Sequence, residues 1–367
     1  MPTTSNAAEP SAAATAGRWA EPGRVFVQPN VLTILGTYKC TAACENCCFG
    51  SNPFITKRLG LPDILSFISE GARTGSCKMV VFSGGECFLL RDDLVAAVAH
   101  ATRLGLATRC VTNGYWAKRM EHGRRRLQAL RDAGLTELNI STGDYHQRFV
   151  DQQTVINAAC LSVELMKSTL IVVESQKERR VSAAALGADP RIQRLLAEHG
   201  DRFQLIESPW MPMSLDVTIE QDPAFMLNRH NVHRRSGCTS VLTTAVLTPD
   251  RAIGFCCGLT REKIPEMNAS WQEGSFDRLI GAASQDFMKI WLFVDGPERI
   301  LAWAGSKNSQ IRWENRYSHH CHACLALFSD PLVRATISAH YKERVDDVLM
   351  RYVVKLRTQQ SIGHSFC

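Results

Sequence analysis

Three cysteines near the start of the chain have a spacing that suits metal binding. Cys40, Cys44 and Cys47 are separated by three and then two residues, and they follow an apolar run at 31–36. Cysteine thiolates are soft ligands that suit zinc and iron–sulfur clusters. Three ligands from one loop leave one iron of a four-iron cluster open for a substrate or cofactor. Buried apolar thiols or a zinc loop are the alternative interpretations.

Two glycines and a glutamate follow the next apolar run. Gly84, Gly85 and Glu86 come directly after residues 79–83. Glycine lets the backbone approach a ligand closely, and a glutamate carboxylate can accept hydrogen bonds from an amine. The motif is short, and its position one unit after the cysteine loop is what makes it a candidate binding site.

A second group of cysteines occurs late in the chain. It consists of Cys238, the adjacent pair Cys256 and Cys257, and a Cys-x-x-Cys pair at Cys321 and Cys324. One cysteine, a hairpin, another cysteine and a distant pair supply four ligands. This pattern predicts a closed site with four thiolates, for an iron–sulfur cluster or for a structural zinc ion.

The elements that must position these residues alternate between strands and helices. The predicted strands are 31–36, 79–83, 108–112, 137–141, 169–174 and 203–207, and the predicted helices are 62–73, 91–104, 117–133, 146–167 and 190–198. Six such units predict an α/β fold with a parallel sheet. The pattern alone is compatible with a partial barrel and with an open doubly wound sheet.

The chain divides into four predicted segments. Residues 1–24 are small and polar and predict a disordered tail, 25–212 form the α/β part, 213–330 hold the second cysteine group, and 331–367 predict a helical segment. Within the third segment, 241–247 and 253–256 predict a hairpin, and 259–320 show little periodicity. We expect one or two helices over 332–356.

Composition excludes several classes of protein. The 367 residues carry 42 Lys and Arg against 36 Asp and Glu, a net charge of +6 that is mild for a nucleic-acid binder. No run approaches the 18 or so apolar residues of a membrane span, and the start lacks the features of a signal peptide. We therefore expect a cytoplasmic protein without a nucleic-acid or membrane partner, in which the 14 cysteines bind metal more readily than they form disulfides.

The first cysteine loop and the Gly-Gly-Glu motif together resemble the radical S-adenosylmethionine (SAM) superfamily. In that family a Cys-x3-Cys-x2-Cys loop holds a 4Fe-4S cluster, and the open iron binds the amino and carboxylate groups of SAM. The resemblance covers roughly residues 30–212. It implies a partial (β/α)6 barrel of the TIM type, with the active site at the carboxyl ends of the strands.

The resemblance carries roles over to individual residues. It implies that the cluster ligands are Cys40, Cys44 and Cys47. It also implies that SAM contacts Gly84, Gly85, Glu86, Asn113, Ser141, Asp144 and Arg148. Asn46 stands where the family usually has an aromatic residue, and the Ser-x-Asp-Gly order of the ribose segment is altered around Asp144.

The second cysteine group resembles the twitch and SPASM extensions of radical SAM enzymes. The resemblance implies one auxiliary 4Fe-4S cluster on Cys238, Cys256, Cys321 and Cys324. Alignment on the turn at 249–251 favours Cys256 over Cys257, although Arg251 replaces the usual glycine. Cys367, the last residue, has no assigned role.

The implied function is a radical SAM enzyme that cleaves SAM reductively to a 5′-deoxyadenosyl radical and abstracts a hydrogen atom from a substrate. The extensions imply maturation of a ribosomally made peptide by crosslinking, oxidation or epimerisation. An external electron donor and a separate leader-recognition protein are the expected partners. The alternatives are a radical SAM enzyme acting on a small metabolite or cofactor precursor, and a non-catalytic metal-binding or electron-transfer protein. No catalytic residue is assigned.

Overall fold

A computed structural model describes residues 26–45, 47–211, 215, 220–258 and 263–363, with side chains described as far as residue 358. The predicted tail at 1–24, Asn46 and Cys367 lie outside the described residues. None of the described helices combines the length and the apolar character that crossing a bilayer requires.

Parallel strands and helices alternate over the first part of the described chain. The strands are β1 (Val31–Leu35), β2 (Met79–Ser83), β3 (Ala107–Thr112), β4 (Glu137–Gly143), β5 (Ser168–Ser175) and β6 (Phe203–Pro209). The helices are α1 (Leu61–Arg73), α2 (Asp92–Arg103), α3 (Met120–Ala133), α4 (Gln152–Leu165), α5 (Ala183–Gly187) and α6 (Pro190–His199). Short 3₁₀ turns at Tyr115–Lys118 and His146–Arg148 occupy the predicted starts of α3 and α4, and α5 was not predicted.

The order of the strands decides between the two architectures that the sequence pattern allows. From β6 to β1 the neighbours in the sheet are also neighbours in the chain, and all five pairs are parallel. Since crossovers between parallel strands are right-handed, steps in a single direction place the helices on one face of the sheet. A doubly wound sheet would instead reverse direction at a switch point. The fold is therefore the α/β arrangement of a partial TIM-type barrel.

The segment after β6 continues the same sheet. Its strands are β7 (Thr244–Leu247), β8 (Ala252–Gly254) and β9 (Asn268–Ser270), with β7 parallel to β1 and β8 antiparallel to β7. The predicted hairpin is thus present. Arg251 in its turn has a φ of 54°, the left-handed region that glycine usually fills. The predicted domain boundary at 212 remains a prediction.

Six further helices complete the described chain, namely α7 (Phe276–Ala283), α8 (Phe287–Asp295), α9 (Pro297–Lys307), α10 (His320–Ser329), α11 (Pro331–His340) and α12 (Val345–Gly363). Helices α7 to α9 lie where the sequence shows little periodicity. Six of the nine residues of α8 are buried. A helix that is buried around most of its circumference has no polar face, so no amphipathic repeat marks it.

Buried polar groups tie the late helices to the rest of the molecule. The carboxylate of Glu70 in α1 accepts hydrogen bonds from the amides of Gly274 and Phe276, both at 3.0 Å, at the start of α7. The carboxylate of Asp295 at the end of α8 binds the guanidinium of Arg351 in α12. These bonds satisfy buried acidic groups, which would otherwise be costly to remove from water.

The loops after β1 and β2 approach each other closely at two glycines. A Cβ atom on Gly84 would lie 2.5 Å from the carbonyl oxygen of Thr37, and one on Gly85 would lie 2.2 Å from that of Lys39. The amides of Gly85 and Glu86 donate to those same two carbonyls at 2.7 and 2.9 Å. The glycines are therefore required for the contact that holds the start of the cysteine loop.

We predict that Gly85→Ala destabilises the protein by about 2 kcal/mol, because the new methyl group overlaps a backbone carbonyl that cannot move without breaking two hydrogen bonds. Urea denaturation of the variant checks this. Gly281→Ala is the matched control, since a Cβ atom there meets nothing within 4 Å. Equal midpoints for the two variants would contradict the steric account.

Candidate functional site

The first cysteine group lines a cavity at the carboxyl ends of the parallel strands. The cavity has a volume of about 200 Å³. Its walls include Cys40, Cys44, Cys47, Cys48, Gly84, Gly85, Asn113 and Ser141. The structure thus brings together residues from the loops after β1, β2 and β3 and from the carboxyl end of β4. In barrels of parallel strands this edge is where active sites are built.

Backbone hydrogen bonds shape the cysteine loop. The amide of Cys40 donates to the carbonyl of Asn52 at 3.1 Å, and this bond closes the loop at its base. The amide of Cys47 donates to the carbonyl of Cys44 at 3.1 Å, which forms a tight turn between these two residues. The turn directs the three thiols, which lie within eight consecutive positions of the chain, into one cavity.

Two of the three sulfur atoms accept hydrogen bonds of the kind that thiolates need, whereas the Cys44 thiol donates to the carbonyl of Tyr145 at 3.7 Å. Cys40 Sγ accepts from the amide of Ala42 at 3.4 Å and from the side-chain amide of Asn113 at 3.6 Å. Cys47 Sγ accepts from the amide of Ser51 at 3.4 Å. N–H groups aimed at sulfur are among the contacts that tune iron–sulfur clusters. The donor set and its surroundings therefore fit a thiolate-bound cluster.

Burial makes the thiols of Cys40 and Cys44 weak acids when no cation is bound. Burial, followed by nearby acidic groups, raises the pKa of Cys40 and of Cys44 to about 12. A metal ligand must be a thiolate, so binding of a cationic cluster would release protons from both side chains. The same burial excludes water, which favours a stable cluster over an exposed one.

Glu86 lies beside the cavity and is not among its lining residues. The side chain is fully buried, and its two oxygens accept from the Thr112 hydroxyl at 2.9 and 3.0 Å. They also accept from the amides of Phe88 at 3.0 Å and Asn113 at 2.9 Å. Burial raises the pKa of Glu86 to about 7. Its carboxylate links the β2 loop to the β3 loop and so positions Asn113 in the cavity wall.

Asp144 and Arg148 face a neighbouring cavity. Asp144 accepts hydrogen bonds from the amides of Arg180 and Val181, the shortest at 2.8 Å. Arg148 pairs with Glu45 at 2.9 Å and lies over the ring of Tyr145. Both residues line an open cavity of about 480 Å³ and neither lines the cysteine cavity. Of the predicted SAM contacts, those of Asp144 and Arg148 fit this geometry least well, because both side chains line the neighbouring cavity instead of the cysteine cavity.

The cysteine cavity contains two titratable side chains that the site assignment did not include. His146 and Glu174 both line it, and His146 Nδ1 lies 3.3 Å from Glu174 Oε2. Glu174 lies at the carboxyl end of β5, which is where active-site residues of parallel barrels are found. His146 begins a 3₁₀ turn after β4, and no motif marks it.

The second cysteine group also comes together. Cys321 and Cys324 lie one turn apart on α10, and Cys238 is held by a hydrogen bond from its amide to the carbonyl of Leu292 at 2.9 Å. Burial raises the pKa of Cys324 well above its usual value, and the thiols of Cys256 and Cys238 add to the shift. Burial raises the pKa of Cys321 in the same way, with the other thiols of the group adding to it. Cys257 is exposed, whereas Cys256 is half-buried.

Two histidines adjoin this group. His319 Nδ1 accepts from the amide of Cys321 at 3.1 Å and caps α10, and its ring stacks on that of His320. Burial, followed by the charges of nearby histidines, lowers the pKa of His319 to about 4. The ligand atoms of His319, His320 and Cys321 lie within 4.8 Å of one another. Imidazole ligands are therefore available next to the thiols.

The two cysteine groups lie next to each other. Phe49, which follows Cys48, lines a small cavity together with Cys256 and Cys257. Burial raises the pKa of Cys48 well above its usual value, and Glu174 and the Cys257 thiol contribute. Residues next to the predicted ligands of the two groups therefore lie close to each other.

The sequence and the fold have relatives of known description. Over 123 residues, or 32% of this chain, it is 26% identical to YydG of Bacillus subtilis, whose name refers to peptide biosynthesis. Over 109 residues, or 29% of the chain, it is 39% identical to the PqqA peptide cyclase of Rhodopseudomonas palustris. The matched segments span only 37% and 26% of those two proteins.

A similarity to solved structures accompanies these matches. The crystal structure of BtrN in complex with AdoMet and 2-DOIA superimposes with a TM-score of 0.43 at 12% identity, covering 79% of this chain and 98% of BtrN. Residues 34–155, which hold the first cysteine loop, the two glycines and the start of α4, match the model of the radical SAM superfamily, and they identify this part of the chain as a radical SAM domain.

Proposed function

We propose that the protein is a radical SAM enzyme that cleaves SAM reductively and abstracts a hydrogen atom from a peptide substrate. One observation carries the proposal: the thiols of Cys40, Cys44 and Cys47 line one cavity with Gly84 and Gly85 at the carboxyl edge of the sheet. Three ligands from one short loop leave the fourth position of a four-iron cluster free for a substrate group.

The chain's own residues would hold and shelter the reactants. A 4Fe-4S cluster held there would supply the electron for reductive cleavage of SAM to methionine and a 5′-deoxyadenosyl radical. Cys40, Cys44 and Cys47 would be the ligands, and the backbone at Gly84 and Gly85 would lie against the methionyl group. Asn113 and Ser141 offer polar side chains in the same wall. The enclosed site excludes water and competing hydrogen donors from a reactive intermediate.

Glu86, Asp144 and Arg148 take different parts in this proposal. Glu86 acts as a positioning residue through Thr112 and Asn113, because all its oxygens accept hydrogen bonds from the chain. Asp144 and Arg148 would have to exchange their partners in the chain before either could contact SAM. Their place in the neighbouring 480 Å³ cavity suits a wall of the substrate entrance.

A peptide substrate is supported by the names of the two relatives, one a peptide cyclase and the other named for peptide biosynthesis. Anaerobic incubation with SAM, a reductant and candidate precursor peptides tests it, with the mass of the peptide as the readout. A mass change, or incorporation of solvent deuterium at unchanged composition, is expected for one peptide. Turnover of a small metabolite with no peptide modified would contradict the choice of substrate.

We also propose that Cys238, Cys256, Cys321 and Cys324 hold an auxiliary 4Fe-4S cluster. The clustering of these thiols around α10 supports a tetrathiolate site, and Cys256 is the better-buried member of its pair. The same proposal includes an external electron donor for the first cluster, a separate leader-recognition protein and a cytoplasmic location.

We predict that changing Cys40, Cys44 and Cys47 together to Ala removes about four irons per chain and abolishes deoxyadenosine formation, because the open cluster loses its ligands. Iron and sulfide analysis after anaerobic reconstitution, together with chromatography of the SAM products, checks this. Cys160→Ala, a half-buried thiol in α4, is the control and should leave both quantities unchanged. Deoxyadenosine from the triple variant would refute the assignment.

We predict that Cys238→Ala combined with Cys324→Ala lowers iron from about eight to about four per chain, since only the auxiliary cluster is lost. Deoxyadenosine should still form. Cys256→Ala should reproduce this loss of iron, whereas Cys257→Ala should not. If the parent protein instead contains about one zinc that the double variant lacks, the second site is a structural zinc site.

A further inference from the structure

One aromatic side chain projects from the cysteine loop into solvent. Phe54 is 90% exposed, more than any other large apolar side chain in the described part of the chain. It does not belong to the lining of the cysteine cavity, although Ser51 does. An exposed ring of this size is costly to hydrate and is typical of an interface anchor.

The chain holds Phe54 in a defined position. The amide of Phe54 donates to Asn52 Oδ1 at 2.9 Å, and Pro53 restricts the backbone between them. Bridges between Lys39 and Asn52 and between Thr37 and Arg58 fix the segment on both sides. A backbone that is already held in place loses little entropy when a partner binds the side chain it carries.

The same segment supports the first cluster ligand. The carbonyl of Asn52 accepts the amide of Cys40 at 3.1 Å, and Phe54 follows two residues later. A partner seated on Phe54 would therefore contact the chain that carries Cys40. Because the ring lies outside the cavity, such a partner would not need to enter the site where SAM and substrate react.

Three basic residues lie near Phe54 along the backbone: Lys57 and Arg58 follow it in the chain, and Lys39 is bridged to Asn52. Lys39 is exposed and has no ion pair among the described residues. Lys57 pairs with Asp250, and the two are 55% and 26% exposed. Arg58 pairs with Asp93, and these are 44% and 34% exposed. In both pairs the basic group is the more exposed one, and Lys39 leaves one net positive charge on these three basic and two acidic groups. We call Lys39, Phe54, Lys57 and Arg58 the Phe54 patch.

We propose that the Phe54 patch is the docking site of an acidic one-electron donor protein that reduces the cluster on Cys40, Cys44 and Cys47. The inference rests on the proposed function, which requires one electron from outside. A flavin hydroquinone anion on the donor would lose one electron and become the neutral semiquinone, and the cluster would gain that electron. No bond is formed or broken and no proton is transferred.

The patch fits this partner better than it fits other occupants. A positive rim attracts an acidic protein and accelerates its association, whereas it repels a second copy of the same patch. The substrate must reach the cavity, from which Phe54 is excluded. Transient redox complexes are small, and a single apolar anchor with a charged rim is sufficient for them.

The test compares Phe54→Ala and Lys39→Glu with the parent protein. Controls are Phe225→Ala, at a ring that is 51% exposed elsewhere, and Lys342→Glu, at another exposed lysine. The probe is a flavodoxin, an acidic protein that carries FMN. Calorimetry measures binding of oxidised flavodoxin at low salt and at about 0.3 M salt. Stopped-flow absorbance measures cluster reduction by flavodoxin hydroquinone and, separately, by dithionite.

We expect both variants to weaken flavodoxin binding and slow its electron transfer by about tenfold or more, with unchanged iron content and unchanged reduction by dithionite. Salt should weaken binding to the parent, and it should weaken binding to Lys39→Glu less. Parent-like binding and rates in both variants would overturn the proposal, as would loss of peptide binding with flavodoxin binding intact. Failure of the dithionite-reduced parent to cleave SAM would count against the proposed function instead.

Discussion

The close approach of two backbone segments organises the whole candidate site. Gly85 packs so tightly on the carbonyl of Lys39 that a Cβ atom would lie 2.2 Å from it. This contact sets the position of the chain that leads into Cys40, and the hydrogen bond from Cys40 to Asn52 then closes the cysteine loop. The thiols, the two glycines and the Phe54 patch all take their places from this one constraint.

A second layer of support comes from Glu86. The Gly-Gly-Glu motif by itself predicts that the Glu86 carboxylate binds an amine. In the fold, its oxygens instead accept hydrogen bonds from Thr112, Phe88 and Asn113. Burying a carboxylate is costly, and hydrogen bonds from two amides and one shared hydroxyl offset much of that cost. The consequence is a rigid joint between the β2 and β3 loops. Asn113 reaches Cys40 Sγ through this joint.

The later part of the chain is built onto the same sheet. Because β7 pairs with β1, the strand that precedes the first cysteine loop is covered on its outer side by the segment that carries the second group. Phe49 and Cys48 consequently meet Cys256 and Cys257, residues about 200 positions away in the chain. Glu174 and His146 complete the cavity from β5 and the turn after β4.

The sequence by itself determined the six alternating units, the family resemblance and the thiols of both groups, because periodicity and ligand spacing are local properties. It did not determine strand order, which depends on long-range pairing, nor helix α8, whose burial removes the amphipathic repeat. It placed Ser141 and Asn113 in the cavity but also expected Asp144 and Arg148 there. Glu174 could be expected there from its place at the end of β5. Only the tertiary structure gave Asp144 and Arg148 partners elsewhere and brought His146 in, since the direction of a side chain after a strand depends on the loops packed around it.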